Sequence, residues 1–254
     1  MDRRTFLGGS AVGVAALALG VGEAFASPAH QVSDAYLTVS NGRREVRVRP
    51  LQRVDAGGDV QYGARDDESP GAVAIDGDRL WVSDRGQGVV VALDASGRTV
   101  AVARGFAAPR GLAMSPVGLL VCDAAAHQLV VLDGAGRRTG TIGSAVVDGG
   151  TLNGPLAVAV DVRGHAHVCD AGSRTIQVFD VRTRELLGAY GHGRWPGVPR
   201  DIAITEDGRV HVVDAVGRAI HTFDAEGRFA GSTSVSGAPA AISAVGTSLN
   251  LWVA

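Results

Sequence analysis

The chain repeats itself four times in register, and that repetition decides what it can fold into. Each unit carries an Asp, a second Asp ten residues on, and an Arg four residues beyond that. The marks fall at Asp84, Asp94 and Arg98; Asp123, Asp133 and Arg137; Asp170, Asp180 and Arg184; Asp214, Asp224 and Arg228. A proline precedes each first Asp by fourteen or fifteen residues, at Pro70, Pro109, Pro155 and Pro199. Successive first aspartates lie 39, 47 and 44 residues apart. A period of that length signals one supersecondary unit stacked on copies of itself, because a single unit cannot bury both of its faces.

Inside a unit, short apolar runs of strand type are split by Gly, Asp and Ser. In the third unit they are Leu156–Asp161, His165–Cys169, Thr175–Phe179 and Glu185–Tyr190. Four such strands joined by tight turns make one antiparallel blade, and the 36 glycines supply the positive-φ positions those turns need. Gly97, Gly136 and Gly227 all stand just before the repeated Arg, whereas the third unit has Thr183 there and needs a different turn. Blades of this kind pack radially around an axis, so the predicted fold is all-β, a β-propeller.

The fifth unit bears on closure. Pro239 opens it, and Leu251-Trp252-Val253-Ala254 repeats Leu80-Trp81-Val82-Ser83 of the first. Its outer strands are expected from the other end of the chain: Tyr36–Ser40, a turn at Asn41-Gly42-Arg43, then Glu45–Arg49. That Gly-Arg turn matches Gly97-Arg98, Gly136-Arg137 and Gly227-Arg228. Residues 34–49 are therefore expected to complete the C-terminal blade and give five blades. Six blades is the alternative and would require another unit within residues 50–69, which lack the repeat's marks. Asp66-Asp67-Glu68 there reads as a solvated connector.

The run Asp170-Ala171-Gly172-Ser173-Arg174-Thr175-Ile176-Gln177-Val178-Phe179-Asp180 resembles the core of the NHL repeat, Asp-Ser-Gly-Asn-His-Arg-Ile-Gln-Val-Phe-Asp. Pro155–Asp161 is similar to that repeat's opening strand, and the resemblance extends from Pro70 to Ala254. It implies a propeller of NHL-like blades, although propellers of that family more commonly have six. The family includes binding scaffolds, RNA binders and relatives of metal-dependent lyases and lactonases. The resemblance therefore does not choose an activity.

Residues 1–26 read as an export signal. A basic tip, Arg3-Arg4, precedes an apolar run to about Val21 and a small-x-small site at Ala24-Phe25-Ala26. Paired arginines followed by Phe6-Leu7 resemble the bacterial twin-arginine signal, which carries folded proteins across the inner membrane. The expected product is one propeller domain, residues 27–254, periplasmic or secreted. The apolar run of about 15 residues is short of the roughly 20 that span a bilayer, so no stable membrane span is expected after cleavage. Net charge is −2, which disfavours nucleic acid. All 24 basic residues are arginine, and the absence of lysine removes Schiff-base chemistry and a phosphate-loop lysine.

Candidate chemistry is best weighed against the repeat. His165, His167 and His211 form a candidate metal set, since alternate residues on a strand share a face. Three residues before the repeated Asp, however, stand Trp81, Leu120, His167 and His211, a large-residue packing slot between blades. His127 falls in a strand turn, and His221 replaces the repeat's Gln. The repeated aspartates read as turn organisers that accept backbone N–H groups. Cys122 and Cys169 sit at one position in neighbouring blades, expected about 10 Å apart and beyond the roughly 7 Å reach of a disulfide.

Departures from the repeat are more informative. After the blade-opening proline come Gly71, Arg110, Leu156, Arg200 and Ala240, at the place that faces the channel mouth in propellers. Arg110 and Arg200 there could present guanidinium groups to an anionic ligand or acidic partner, with Asp201 adjoining and able to pair with Arg200. The insertion Gly191–Gly197 offers His192, Arg194 and Trp195 as a second contact surface, or else as a connector whose Trp packs on a blade edge. Relatives with a lyase activity place histidines after the blade-opening proline, where this chain has none, and no Ser-His-Asp arrangement is legible. The expectation is a binding or scaffold propeller for a protein partner or small ligand, with no cofactor. A metal-dependent hydrolase or lyase with its site in the central channel is the alternative.

Overall fold

In the computed structural model, residues 70–144, 152–195 and 197–253 are described, together with isolated strand segments at 14–15, 37–40, 45–48, 53–54 and 60–61. The remainder of residues 1–26, the turn Asn41-Gly42-Arg43, Asp66-Asp67-Glu68, the Trp252 side chain and Ala254 lie outside the described residues.

Four repeat units are four-stranded antiparallel blades in simple sequence order. Blade 1 comprises Pro70–Asp76, Arg79–Asp84, Val89–Leu93 and Thr99–Arg104. Blade 2 comprises Pro109–Ser115, Gly118–Asp123, Gln128–Leu132 and Arg138–Ile142. Blade 3 comprises Pro155–Val160, His165–Asp170, Thr175–Asp180 and Leu186–Tyr190. Blade 4 comprises Pro199–Ile204, Val210–Asp214, Ala219–Phe223 and Phe229–Ser234. The fifth sheet is the pair Pro239–Val245 and Ser248–Val253. First strands of successive blades lie side by side from blade 1 to blade 5, the inner wall of a propeller.

The N-terminal hairpin forms as expected, Leu37–Ser40 pairing with Glu45–Val48. The hairpin is a two-stranded sheet of its own, and among the described residues no ladder joins it to Ser248–Val253. The short pair Arg53–Val54 and Val60–Gln61 is likewise separate, and Val14–Ala15 lies against Val73–Ala74 on the inner edge of blade 1. The repeated Gly-Arg turn thus specifies a hairpin without specifying which sheet it joins.

The repeat's marks each have a structural cause. Asp94, Asp133 and Asp224 accept the N–H two residues on and again four residues on. The Arg at the fourth place folds back on that carboxylate, at 3.3, 2.7 and 3.1 Å respectively. Blade 3 differs as its Thr183 foretells. The turn is one residue longer, closing from Asp180 N–H to Glu185 C=O, and Arg184 itself takes φ 67°. Freed from Asp180, its guanidinium reaches the Thr139 carbonyl of blade 2 at 3.5 Å.

Between blades the cores are apolar. Trp81 packs with Leu112 and Val121, Leu120 with Val158 and Phe179, and Phe223 with Cys169 and Ile202. Every first strand has a β-bulge at its opening, where the ladder skips a residue: Gly71, Arg110, Leu156, Arg200 and Ala240 are left over. The next residue inward is small in four blades, Ala72, Gly111, Ala157 and Ala241. Gly111 shows why. A Cβ there would stand 2.6 Å from the Ala157 Cα of the neighbouring first strand.

Gly111→Ala should therefore cost about 2–3 kcal/mol through overpacking of the inner wall. Gly188→Ala, on an outer strand with nothing within 4 Å, should change stability by no more than about 0.5 kcal/mol. Denaturant unfolding of the two variants checks the contrast.

Candidate functional site at the channel mouth

Pairing register fixes which groups share one rim. Pro70 lies opposite Asp84, Pro109 opposite Asp123, Pro155 opposite Asp170 and Pro199 opposite Asp214. The bulged residue after each proline and the turn after each Asp therefore sit at one level. That level carries Arg85 from blade 1, Arg110 from blade 2 and Arg200 from blade 4.

The carboxylates of this rim are turned inward. Asp84 accepts the Gln87 N–H at 3.0 Å. Asp123 accepts the N–H groups of Ala107 and Ala108, and Asp170 those of Asn153 and Ser173. Asp214 accepts the Gly217 N–H at 2.8 Å. Among the described residues, Arg85, Arg110 and Arg200 make no ion pair. The Arg110 guanidinium is half-buried, and burial, then the charges of Arg85 and Arg200, make its proton easier to lose than in water. The charge of Arg200 acts on Arg110 although blade 3 separates their strands.

Two buried polar side chains fix this rim. Ser83 Oγ accepts the Ala72 N–H at 2.9 Å and donates to the Arg110 carbonyl at 2.7 Å, clamping blade 1 to the bulge that carries Arg110. Asp201 takes the position that is Ala or Gly in the other blades. It makes no ion pair with Arg200, contrary to the expected pairing. Its carboxylate points into the interface with the fifth sheet, accepting the N–H of Ile202 at 2.9 Å and of Ile242 at 2.8 Å. Burial pushes its pKa up to about 7, opposed by those two N–H groups and by the Arg200 charge.

Arg85 was missed by sequence reasoning, yet the signal was there. The residue after the repeated Asp is Ala124, Ala171 and Ala215 in the other blades, so an Arg stands out as sharply as Arg110 and Arg200 do.

The Gly191–Gly197 insertion corrects the second expected surface. Trp195 is 3 % exposed, so it is not a contact residue. Its indole N–H donates to the Arg174 carbonyl at 2.6 Å, while Arg174 donates back to the Trp195 carbonyl at 2.7 Å. The ring stands edge-on to His221 and tilted on Phe223. Arg194 lies over the Phe229 ring, 4.3 Å from its centroid, and only His192 is presented to solvent without a described partner. The insertion is a connector fastening the turn of blade 3 to the outer half of blade 4.

The three histidines of the metal alternative do not converge. His165 Nδ1 and His167 Nε2 approach Asp161 Oδ2 at 3.3 and 3.6 Å, and His167 Nδ1 meets the Tyr190 hydroxyl at 3.0 Å. His211, in blade 4, lies between Thr205 and Thr222, and burial lowers its pKa. Burial alone would raise the Asp161 carboxyl; hydrogen bonds from His167, the His165 N–H and Arg163 outweigh it and hold the group low. Among the described residues, no three His, Cys, Asp or Glu side chains form a group able to hold a metal. Cys122 and Cys169 are free and buried, and burial raises both thiols.

No protein family and no characterised protein sequence matches this chain. Solved structures do. A streptogramin B lyase superposes with a TM-score of 0.64 at 14% identity, over 84% of this chain and 73% of that one. Virginiamycin B lyase from Staphylococcus aureus gives 0.63 at 13% identity, over 87% and 75%. A chain of the mitotic checkpoint complex gives 0.59 at 16% identity, over 78% and 63%. The fold is a β-propeller. At these identities the likeness shows the fold alone. No helix among the described residues is long and apolar enough to cross a membrane.

Asp201 yields a pH prediction. Its folded pKa lies above its unfolded value near 3.8, so the folded state holds the proton more tightly. The stability it contributes is complete below pH 4 and is lost as pH rises through about 7. The loss is on the order of 2–4 kcal/mol at about 1.4 kcal/mol per pKa unit. Burial of His211 acts in the opposite direction at low pH, so the test is the difference between wild type and Asp201→Asn. Wild type should lose stability relative to the variant between pH 5 and pH 8, measured by denaturant unfolding.

Proposed function

We propose that the protein is an exported binding propeller of NHL type that captures an anionic group at its channel mouth, on Arg85, Arg110 and Arg200. One observation carries the reading: guanidinium groups from three blades gather at one rim while that rim's carboxylates are turned inward onto backbone N–H groups. Guanidinium forks match the paired oxygens of carboxylates, phosphates and sulfates. Like charges with no ion pair among the described residues repel, and an anion relieves that repulsion. The ligand is an anionic small molecule or an acidic segment of a partner protein in the bacterial envelope. Membership of a multiprotein complex by one structural neighbour is in keeping with a protein partner. The Arg3-Arg4 leader supports twin-arginine export to the periplasm or beyond.

The alternative is a metal-dependent hydrolase or lyase. One neighbouring lyase is described as catalytically inactive when a histidine is replaced by alanine. Here His167 and His211 are buried packing residues with hydrogen-bond partners, and the bulged positions carry no histidine. The rim therefore favours binding. A stoichiometric zinc or calcium in the purified protein would instead favour the lyase reading and return His165, His167 and His211 to the site.

The test is capture on an immobilised polyglutamate or phosphate-bearing resin at low salt. Arg110→Ala with Arg200→Ala should leave the unfolding midpoint within a few degrees and weaken capture at least tenfold. Unchanged capture by the double variant removes these arginines from any site.

A further inference from the structure

Resting on the anion reading of the mouth, we infer that Asp201 is coupled to capture there, so that an anion enters together with a proton. The geometry behind it is a single carboxylate built into a ring otherwise made of Ala72, Gly111, Ala157 and Ala241. Asp201 is 8 % exposed and follows Arg200 directly in the chain. Its two oxygens are held by only two backbone N–H groups, one of them from its own neighbour Ile202 and the other from Ile242 across the interface. Asp170, by comparison, receives Asn153, Ser173 and the Gln177 side chain.

The charged and titratable groups around Asp201 are few. Arg200 stands on its own strand, Asp214 at the end of the adjoining strand, Cys169 in blade 3, and Cys122 with Arg110 in blade 2. The strand of the fifth sheet packed against it presents Ala241, Ile242 and Ser243, none of which titrates in this range. Arg200 is thus the cation that favours the ionised carboxylate. An anion on Arg200 cancels that field and adds its own negative potential, and both effects favour the protonated acid. Because burial already holds the group near neutrality, a modest change of field moves it across the physiological range. Linkage is reciprocal: if the anion promotes protonation, protonation promotes anion binding by the same factor.

The experiment uses the full chain and inorganic sulfate, whose charge is constant from pH 5.5 to pH 8.5. Calorimetric titration in two buffers of different ionisation enthalpy reads both affinity and proton uptake. Sulfate should bind about fivefold tighter at pH 6 than at pH 8, with net proton uptake near pH 7 to 8. Asp201→Asn should still bind sulfate but take up no proton. Equal pH dependence in that variant would overturn the inference while leaving the anion site standing. Absence of sulfate binding at every pH, in wild type, would overturn the anion site itself. Should the variant fail to fold, carboxyl 13C NMR of wild type decides. The Asp201 titration must move to higher pH in saturating sulfate, and a fixed midpoint rejects the coupling.

Discussion

In blades 2, 3 and 4 a buried carboxylate ends the second strand, and it is the constraint on which the rest of the structure depends. In blades 2 and 3 it accepts N–H groups from the connector entering that blade, Ala107 and Ala108 for Asp123 and Asn153 for Asp170. In blades 3 and 4 it also holds the turn that follows, through Ser173 and Gly217. The connector ends on a proline, which brings no N–H of its own to satisfy. Proline and aspartate together thus settle the hydrogen bonding of a buried chain crossing, where an unpaired N–H would be costly. The turn demands a left-handed residue four places after the Asp. Gly88 fills that place in blade 1, and His127, Arg174 and Arg218 accept φ of 54°, 57° and 49° in the others.

This arrangement has an electrostatic consequence. Carboxylates used to hold backbone are withdrawn from the surface, so among the described residues the rim that carries them gives its arginines no ion pair. At the third-to-fourth-strand turns the same residue types do the reverse. Asp94, Asp133 and Asp224 stay at the surface, and each pairs with its own Arg. Exposed pairs of that kind stabilise little, but they leave that surface balanced. The asymmetry between the rim and the turns comes from one repeated residue used in two ways.

Much of this was legible in the sequence because repetition separates rule from exception. The strand spans of blade 3, the role of both aspartates, the distinct turn at Thr183 and the packing place of His167 and His211 follow from residue type and spacing. Arg110 and Arg200 were visible as departures. The burial of Trp195 was not legible because a Gly-rich insertion carries no period, and only tertiary packing against Phe223 and His221 decides where the indole goes. The orientation of Asp201 was equally hidden. Chain adjacency to Arg200 suggests a pair, whereas the bulge turns successive side chains to different surroundings. The N-terminal hairpin was legible as local pairing, because a turn signal encodes the strands on either side of it, whereas edge-to-edge choice between sheets is set by long-range packing.

Two of the mouth's three arginines, Arg110 and Arg200, stand on bulges braced by the buried polar residues Ser83 and Asp201. Ser83 donates to the carbonyl of Arg110, and Asp201 is bonded across the next-to-last interface beside Arg200. Neither residue is what stability alone would select. Ala fits the Asp201 position in three other blades, and a buried carboxylate with two partners is poorly compensated for leaving water. Its value is positional. A bulge frees one residue from the ladder, so a guanidinium mounted there would wander unless its backbone were fixed from inside. Fixing it lowers the ordering entropy that ligand binding must overcome. A polar residue kept in an apolar wall, next in the chain to Arg200, is a conflict between local stability and global order, and such conflicts concentrate at functional sites.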